Sequence, residues 1–198
     1  MIIIKNIPNS IPYELFLKYL KLAKSSDQDP IDALSISSFC QETNEVESRF
    51  VNLKYIISDE WIFFSNYESP KAKNFHNHNQ ISALIHWPKI DLQIRMKAYV
   101  KKTSPSFSDK HFSERQKEKN ALAISSMQSQ KIESHDQVIK DYEITLANKN
   151  LLKRPDYWGG FSFTPYYFEF WKGHKYRLNQ REVFIKNDNL WENYKLQP

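Results

Sequence analysis

The chain has 198 residues, of which 15% are aromatic and 26% charged, and it carries a net charge of +5. That length supports a hydrophobic core without external staples, and so many aromatic side chains exclude a disordered chain. A single cysteine, Cys40, excludes an intramolecular disulfide and a cysteine-rich metal centre and fits a reducing compartment, so the cytosol is the expected location. The positive charges are interrupted by 23 acidic residues, which suits discrete anionic ligands better than nucleic acid. No apolar run reaches the length of a signal peptide or a membrane span, so a membrane is not an expected partner.

In chain order, Ser10 is placed to cap a helix over about 12–24, with Tyr13, Phe16, Leu17, Leu20 and Ala23 on one face. Pro30 interrupts, and Ala33 to Gln41 then reads as a strand in which Leu34, Ile36, Ser38 and Cys40 share a face. On that reading Cys40 is a small core residue rather than a nucleophile. Ser48 to Ile57 and Glu60 to Asn66 are the next strands, Ser69 to Asn79 a short helix, and Gln80 to Trp87 and Asp91 to Thr103 two further strands. The stretch 106–149 is polar and helical in pattern, with two or three helices expected. Beyond Pro155, strands are expected at Phe161 to Trp171, Lys175 to Lys186 and Leu190 to Leu196. Strands interrupted by a helical block predict an α+β fold, an antiparallel barrel with packed helices, built as a single domain over 1–198.

The chemistry must come from side chains. No glycine-rich phosphate loop, H-E-x-x-H pair, paired-cysteine spacing or G-x-S-x-G elbow is present. His76 and His78 lie in a helical stretch where their spacing separates the rings, so no metal is expected. What remains is a set of cationic and amide side chains beside aromatics: Arg49, Lys54, Lys71, Gln93, Arg115, Gln128, Ser129, Arg177 and Arg181. Taken singly, each reads as solvated surface.

Their order is more informative. Trp158-Gly159-Gly160-Phe161, Glu169-Phe170-Trp171, Arg177-Leu178 and Arg181 together resemble the closing segment of pyridoxamine 5'-phosphate oxidases. Upstream, Arg49 to Lys54, then Phe63-Phe64-Ser65-Asn66 with Ser69-Pro70-Lys71-Ala72, and Gln128-Ser129, resemble further stretches of that family. The resemblance implies an FMN-binding split barrel acting as a homodimer, with flavin at the subunit interface. It implies that Arg49, Lys71, Gln128 and Ser129 grip the FMN phosphate and that Phe50, Val51, Phe64 and Ser65 belong to flavin-contacting stretches. Gln93 and Lys54 would approach the isoalloxazine, and Trp171 and Arg181 would reach in from the partner. It further implies a phosphorylated B6 vitamer as substrate, oxidised with O2 to pyridoxal 5'-phosphate and H2O2. Lys54, Arg115 and Arg177 would contact that substrate, with Arg177 and Lys54 as the catalytic candidates.

The resemblance lapses at several positions. Pro70 and Phe64 stand for an arginine and a tyrosine in the flavin site, and His111, Lys119 and Asn179 stand for a tyrosine, a serine and a histidine in the substrate site. A related FMN oxidase with another substrate, such as a phenazine precursor, or a flavin-binding protein with little turnover therefore stand as alternatives. One geometric demand follows from the sequence: Arg49 and Lys54 are five residues apart, so a regular strand aims them to opposite faces, and sharing a ligand requires a bulge or a place at the rim.

Overall fold

The computed structural model describes residues 2–188 and 190–198. Its elements are β1 (Ile3–Lys5), α1 (Ile11–Ser25), β2 (Ala33–Cys40), β3 (Glu45–Asn52), β4 (Tyr55–Ile57), β5 (Glu60–Asn66), α2 (Pro70–Asn77), β6 (Gln80–Trp87), β7 (Leu92–Lys102), α3 (Pro105–Glu114), α4 (Lys117–Ser125), α5 (His135–Asn148), β8 (Trp158–Lys172), β9 (Gln180–Asn187) and β10 (Leu190–Leu196). The described strands join in the order β1-β4-β5-β8-β7-β6-β2-β3, with β9 on β8 and β10 on β9. Every pairing is antiparallel except that of β1 with β4.

Strand β8 organises the barrel. Its first half pairs with β5 and its second half with β9, while β7 runs along its other edge. The sheet therefore forks midway along β8. At the fork Lys97 pairs with Tyr167 and Ala98 with Pro165, so Tyr166 is the extra residue of a bulge. Proline has no N–H to give to a ladder, which suits Pro165 to that place.

Alternation explains the core: Leu34, Ile36, Trp61, Phe63, Trp87, Phe163 and Phe168 point inward and are fully buried. Helix α1 closes the barrel with its apolar face, Phe16 meeting Trp61 edge-on at 4.6 Å and Tyr13 meeting Phe168 at 5.4 Å. Leu17 is half-buried beside that face. Ser10 does occupy the N-cap position in extended conformation, but its hydroxyl makes no capping bond, and Pro12 fits the first turn where no N–H is needed.

Three expectations are corrected and one strand is added. The strand read over Ser48 to Ile57 is two strands, broken at Leu53 and Lys54, whose N–H groups donate instead to the carbonyls of Asp32 (2.8 Å) and Ile62 (2.9 Å). The strand read from Lys175 starts at Gln180; ahead of it lies a loop in which Arg177 has φ 62°, a left-handed conformation that no strand contains. Residues Ile3–Lys5 form a strand that was not among the expected elements, since three residues show no periodicity. Cys40 ends β2 half-buried, outside the core. The helical block resolves into α3, α4 and α5, and among the described residues no helix is long and apolar enough to cross a membrane.

The paired glycines have a steric reason. A Cβ on Gly159 would collide with the Tyr67 hydroxyl, and one on Gly160 with the side chain of Thr103. Tyr67 uses that space to donate to the Gly160 carbonyl at 3.1 Å, bringing the turn after β5 against β8.

Candidate active site

A cleft of about 710 Å3 opens beside β3 and β5. Arg49, Phe50, Val51, Lys54, Phe64, Ser65, Lys71, His111, Arg115, Gln128 and Ser129 line it together, with Glu47, Pro70 and Trp158 among their neighbours. The break after Asn52 brings Lys54 to the same cleft as Arg49, which meets the geometric demand that their five-residue spacing sets.

One end of the cleft is built around two cations. Arg49 donates to Ser38 Oγ (2.7 Å) and to Glu47 Oε2 (2.7 Å), and Asn74 donates to the same two acceptors at 3.2 and 3.0 Å. These bonds hold the guanidinium in one orientation. Lys71 is 7% exposed, and its Nζ donates to the hydroxyls of Ser65 (2.9 Å) and Ser69 (3.1 Å). Burial, with the charge of Arg49 adding to it and that of Glu47 opposing, pulls this ammonium down to about 8. Ser65 in turn donates to Gln128 Oε1 (3.2 Å), which also accepts the Asn66 N–H (3.3 Å), so the 128–129 turn is tied to the end of β5. A buried ammonium held by neutral hydroxyls beside a fixed guanidinium could hold an anion such as a phosphate ester.

The other end carries Lys54, His111 and Arg115. His111 stacks on Phe64 with ring centroids 3.7 Å apart and planes 10° apart, and its Nδ1 lies 2.8 Å from the Tyr55 hydroxyl. Burial, then the charges of Arg115 and Lys54, push the imidazole down to about 4, so it is neutral at pH 7. A neutral ring that accepts from Tyr55 at Nδ1 carries its proton on Nε2. Arg115 lies over Trp158 at 5.1 Å and donates to the Lys119 carbonyl (2.6 Å) and to Asn120 Oδ1 (3.1 Å). Asn120, fully buried, is itself anchored on the carbonyls of Phe112 (2.7 Å) and Leu151 (2.9 Å). Lys119 lines an adjoining recess of about 270 Å3 with Arg115, Gln128 and Trp158. Lys54 is paired with Asp32 at 2.9 Å.

The remaining candidates lie elsewhere. Gln93, Trp171 and Arg181 form one row across β7, β8 and β9. Trp171, Arg177 and Asn179 line a separate groove of about 410 Å3 with Asp91 and His174. Gln93, which the resemblance set against the isoalloxazine alongside Lys54, therefore groups with the residues expected from a partner rather than with its own chain's cleft. Glu169, 1% exposed, organises this second group: Oε1 accepts Arg181 Nε (2.8 Å), and Oε2 accepts Arg95 (2.9 Å) and the Tyr167 hydroxyl (3.0 Å). Burial alone would raise its carboxyl, but these donors outweigh it and hold the group below the usual carboxylate range.

Residues 158–198, the span of this second group's β8 and β9, match the pyridoxine 5'-phosphate oxidase C-terminal dimerisation region. Over 193 residues, 96% of this chain and 88% of the relative, the sequence is 32% identical to the pyridoxine/pyridoxamine 5'-phosphate oxidase of Colwellia psychrerythraea. The chain belongs to the pyridoxine/pyridoxamine 5'-phosphate oxidase family. Pyridoxine/pyridoxamine 5'-phosphate oxidase 1 of Hydrogenovibrio crunogenus is likewise 32% identical over 192 residues, 94% of this chain and 88% of that one. Two solved structures share the family's α+β split-barrel fold. PhzG from Burkholderia lata 383, in complex with tetrahydrophenazine-1-carboxylic acid, superposes with a TM-score of 0.90 at 24% identity over 96% of this chain and 94% of that one. An FMN-binding, pyridoxamine 5'-phosphate oxidase-related protein of Nostoc punctiforme superposes at 0.78 with 13% identity, over 96% and 100%.

Within this oxidase-family site, sequence reasoning missed the residues that hold others in place. Glu47, Ser38 and Asn74 fix Arg49, Tyr55 orients His111, Asp32 pairs with Lys54, and Glu169 anchors Arg181. Glu169 and Trp158 stood inside the closing motif, which marks their neighbourhood but not their partners.

Proposed function

We propose that the chain acts as a cytosolic homodimer and is an FMN-dependent oxidase that converts pyridoxine 5'-phosphate or pyridoxamine 5'-phosphate to pyridoxal 5'-phosphate, with O2 giving H2O2 and, for the amine, water taken up and ammonia released. The observation that carries this reading is a single cleft with a pair of cations at each end, Arg49 with Lys71 at one and Lys54 with Arg115 at the other, each suited to a phosphate. A flavin mononucleotide and a phosphorylated substrate bring one phosphate each. The first end fits FMN because Lys71 is a buried cation whose hydrogen bonds go to uncharged hydroxyls, a state that an arriving phosphate relieves.

Bound FMN supplies a hydride acceptor that dioxygen can reoxidise. The chain supplies binding and orientation. Arg49, Lys71, Gln128 and Ser129 hold the flavin phosphate, and Phe50, Val51, Phe64 and Ser65 line its path. Lys54, Arg115 and Lys119 receive the substrate phosphate, and in the tautomer that accepts from Tyr55 the Nε2–H of His111 donates to the same ligand. The second group comes from the other chain: Gln93, Trp171 and Arg181 of the partner subunit close over the flavin, and Arg177 and Asn179 of the partner subunit close over the substrate ring. Arg177 of the partner subunit, together with Lys54, would lie nearest the reacting carbon. The proton that the substrate's hydroxyl or amine gives up in the oxidation would pass to solvent.

The purified protein is expected to be yellow and to release FMN on denaturation. Anaerobic addition of pyridoxine 5'-phosphate or pyridoxamine 5'-phosphate should bleach the flavin, and air should restore it with an equivalent of peroxide. A colourless protein that FMN cannot reconstitute overturns the reading entirely. A yellow protein that neither vitamer bleaches overturns the B6 substrate and leaves a flavin oxidase of another substrate, or a flavin carrier.

A further inference from the structure

The two ends of the cleft share a pattern. Each has one cation already matched by a carboxylate, Arg49 by Glu47 and Lys54 by Asp32, and one cation held by neutral groups, Lys71 by two hydroxyls and Arg115 by a carbonyl and an amide. The Asp32 pairing is built into the backbone. The Asp32 carbonyl accepts the Leu53 N–H at 2.8 Å, in the same break that turns Lys54 into the cleft, and the side-chain bond of 2.9 Å follows one residue later. The Asp32 side chain is 16% exposed, so its charge acts on Lys54 with little screening by solvent.

Any anion arriving at the substrate end must therefore share Lys54 with a resident carboxylate. We propose that Asp32 is a specificity-determining residue that weakens the grip of Lys54 on the substrate phosphate, so that phosphorylated substrate and product are held loosely enough to exchange. Coulomb energy scales with the product of charges. The carboxylate accordingly opposes a phosphate dianion about twice as strongly, in free energy, as a monoanion. Asp32 thus narrows the preference of the site for phosphate over singly charged groups. It acts through Lys54 and touches no reacting atom, which makes it a positioning residue. This inference rests on the proposed substrate end of the cleft, but not on which vitamer is oxidised there.

The test uses the FMN-loaded protein, so that the flavin-phosphate end is filled, and Asp32→Asn, which keeps the shape and removes the charge. The dissociation constants of pyridoxal 5'-phosphate and of inorganic phosphate are expected to fall about fivefold, the upper range for a partly exposed ion pair, with KM for the phosphorylated vitamer falling alongside. That of unphosphorylated pyridoxal should be unchanged. In a Lys54→Gln background, where only direct repulsion between carboxylate and phosphate remains, Asp32→Asn should have a clearly smaller effect on phosphate. Unchanged phosphate binding in Asp32→Asn, an equal change for pyridoxal, or an effect undiminished in Lys54→Gln overturns the proposal. Asp32→Ser serves as a second variant should the amide disturb the turn. Failure of the wild-type protein to oxidise either vitamer would count against the proposed function, whereas tighter inorganic phosphate in Asp32→Asn would still uphold the role of Asp32.

Discussion

Lys71 concentrates the residue-scale chemistry of the cleft: a cation less than a tenth exposed, beside a guanidinium, held by hydroxyls. Its depressed value of about 8 sets a pH window. Below that value the ammonium is charged and receives phosphate; above it the charge is lost. FMN affinity measured by fluorescence titration is expected to be level from about pH 7, where the FMN phosphate is a dianion, to about pH 8 and to fall at higher pH, and the fall should disappear in Lys71→Arg. Lys71→Met should weaken FMN by about 2 kcal/mol, the scale of a lost charge-assisted hydrogen bond.

His111 titrates in the opposite part of the range. Its folded value of about 4 lies below the ordinary 6.5, so the folded chain binds fewer protons than the unfolded one between those values. The contribution of His111 to stability is therefore level above about pH 6.5, falls as the pH drops toward 4, and is level again below. Urea midpoints at pH 7.5 and pH 4.5, compared between wild type and His111→Phe, should show a smaller acid loss in the variant, which keeps the stack on Phe64. The types of these residues were legible in sequence, since arginine, lysine and a glutamine–serine pair stood in motif order. Asp32, Tyr55 and Glu47 were not. Their roles depend on partners 22, 56 and two residues away, and neither alternation nor spacing reports a side-chain pairing.

At the scale of elements, the alternating strands β2, β5, β6 and β7 and the helix α1 were legible because each turns one apolar face to a common core. The break at Leu53 and Lys54 was legible as a requirement, from two cations that had to meet, rather than as a pattern. The loop ahead of β9 was misread for a physical reason: Tyr176 and Leu178 alternate with polar residues as strand residues do, yet they are 71% and 66% exposed. Hydrophobic periodicity records which side chains are apolar, not what covers them. The glycine pair in β8 is a steric device, and Gly159→Ala, which drives a methyl group into the Tyr67 hydroxyl, should cost about 1–3 kcal/mol, read as a lower thermal midpoint.

At the scale of the whole molecule, the decisive feature is that the functional side chains fall into two groups. The cleft holds Arg49, Lys54, Lys71, His111 and Arg115, while Trp171, Arg177, Asn179 and Arg181 lie on the arm matched by the dimerisation region, and Gln93 of β7 pairs with that arm at Trp171. The sequence order listed both groups together and could not divide them, because division is a property of where β8 forks. Two chains related by a two-fold axis would complete two sites, each with a cleft from one and an arm from the other. Mixing two defective chains tests this most directly. Lys71→Glu spoils the cleft and Arg181→Glu spoils the arm, so each alone is expected to purify without flavin. Co-expressed, they form hybrid dimers in which one site carries both substitutions and the other carries neither. Random pairing should then restore about one quarter of the wild-type flavin content. Full flavin in Arg181→Glu alone, or a mixture that stays colourless although hybrid dimers are isolated by differential tags, would contradict a site built from two chains.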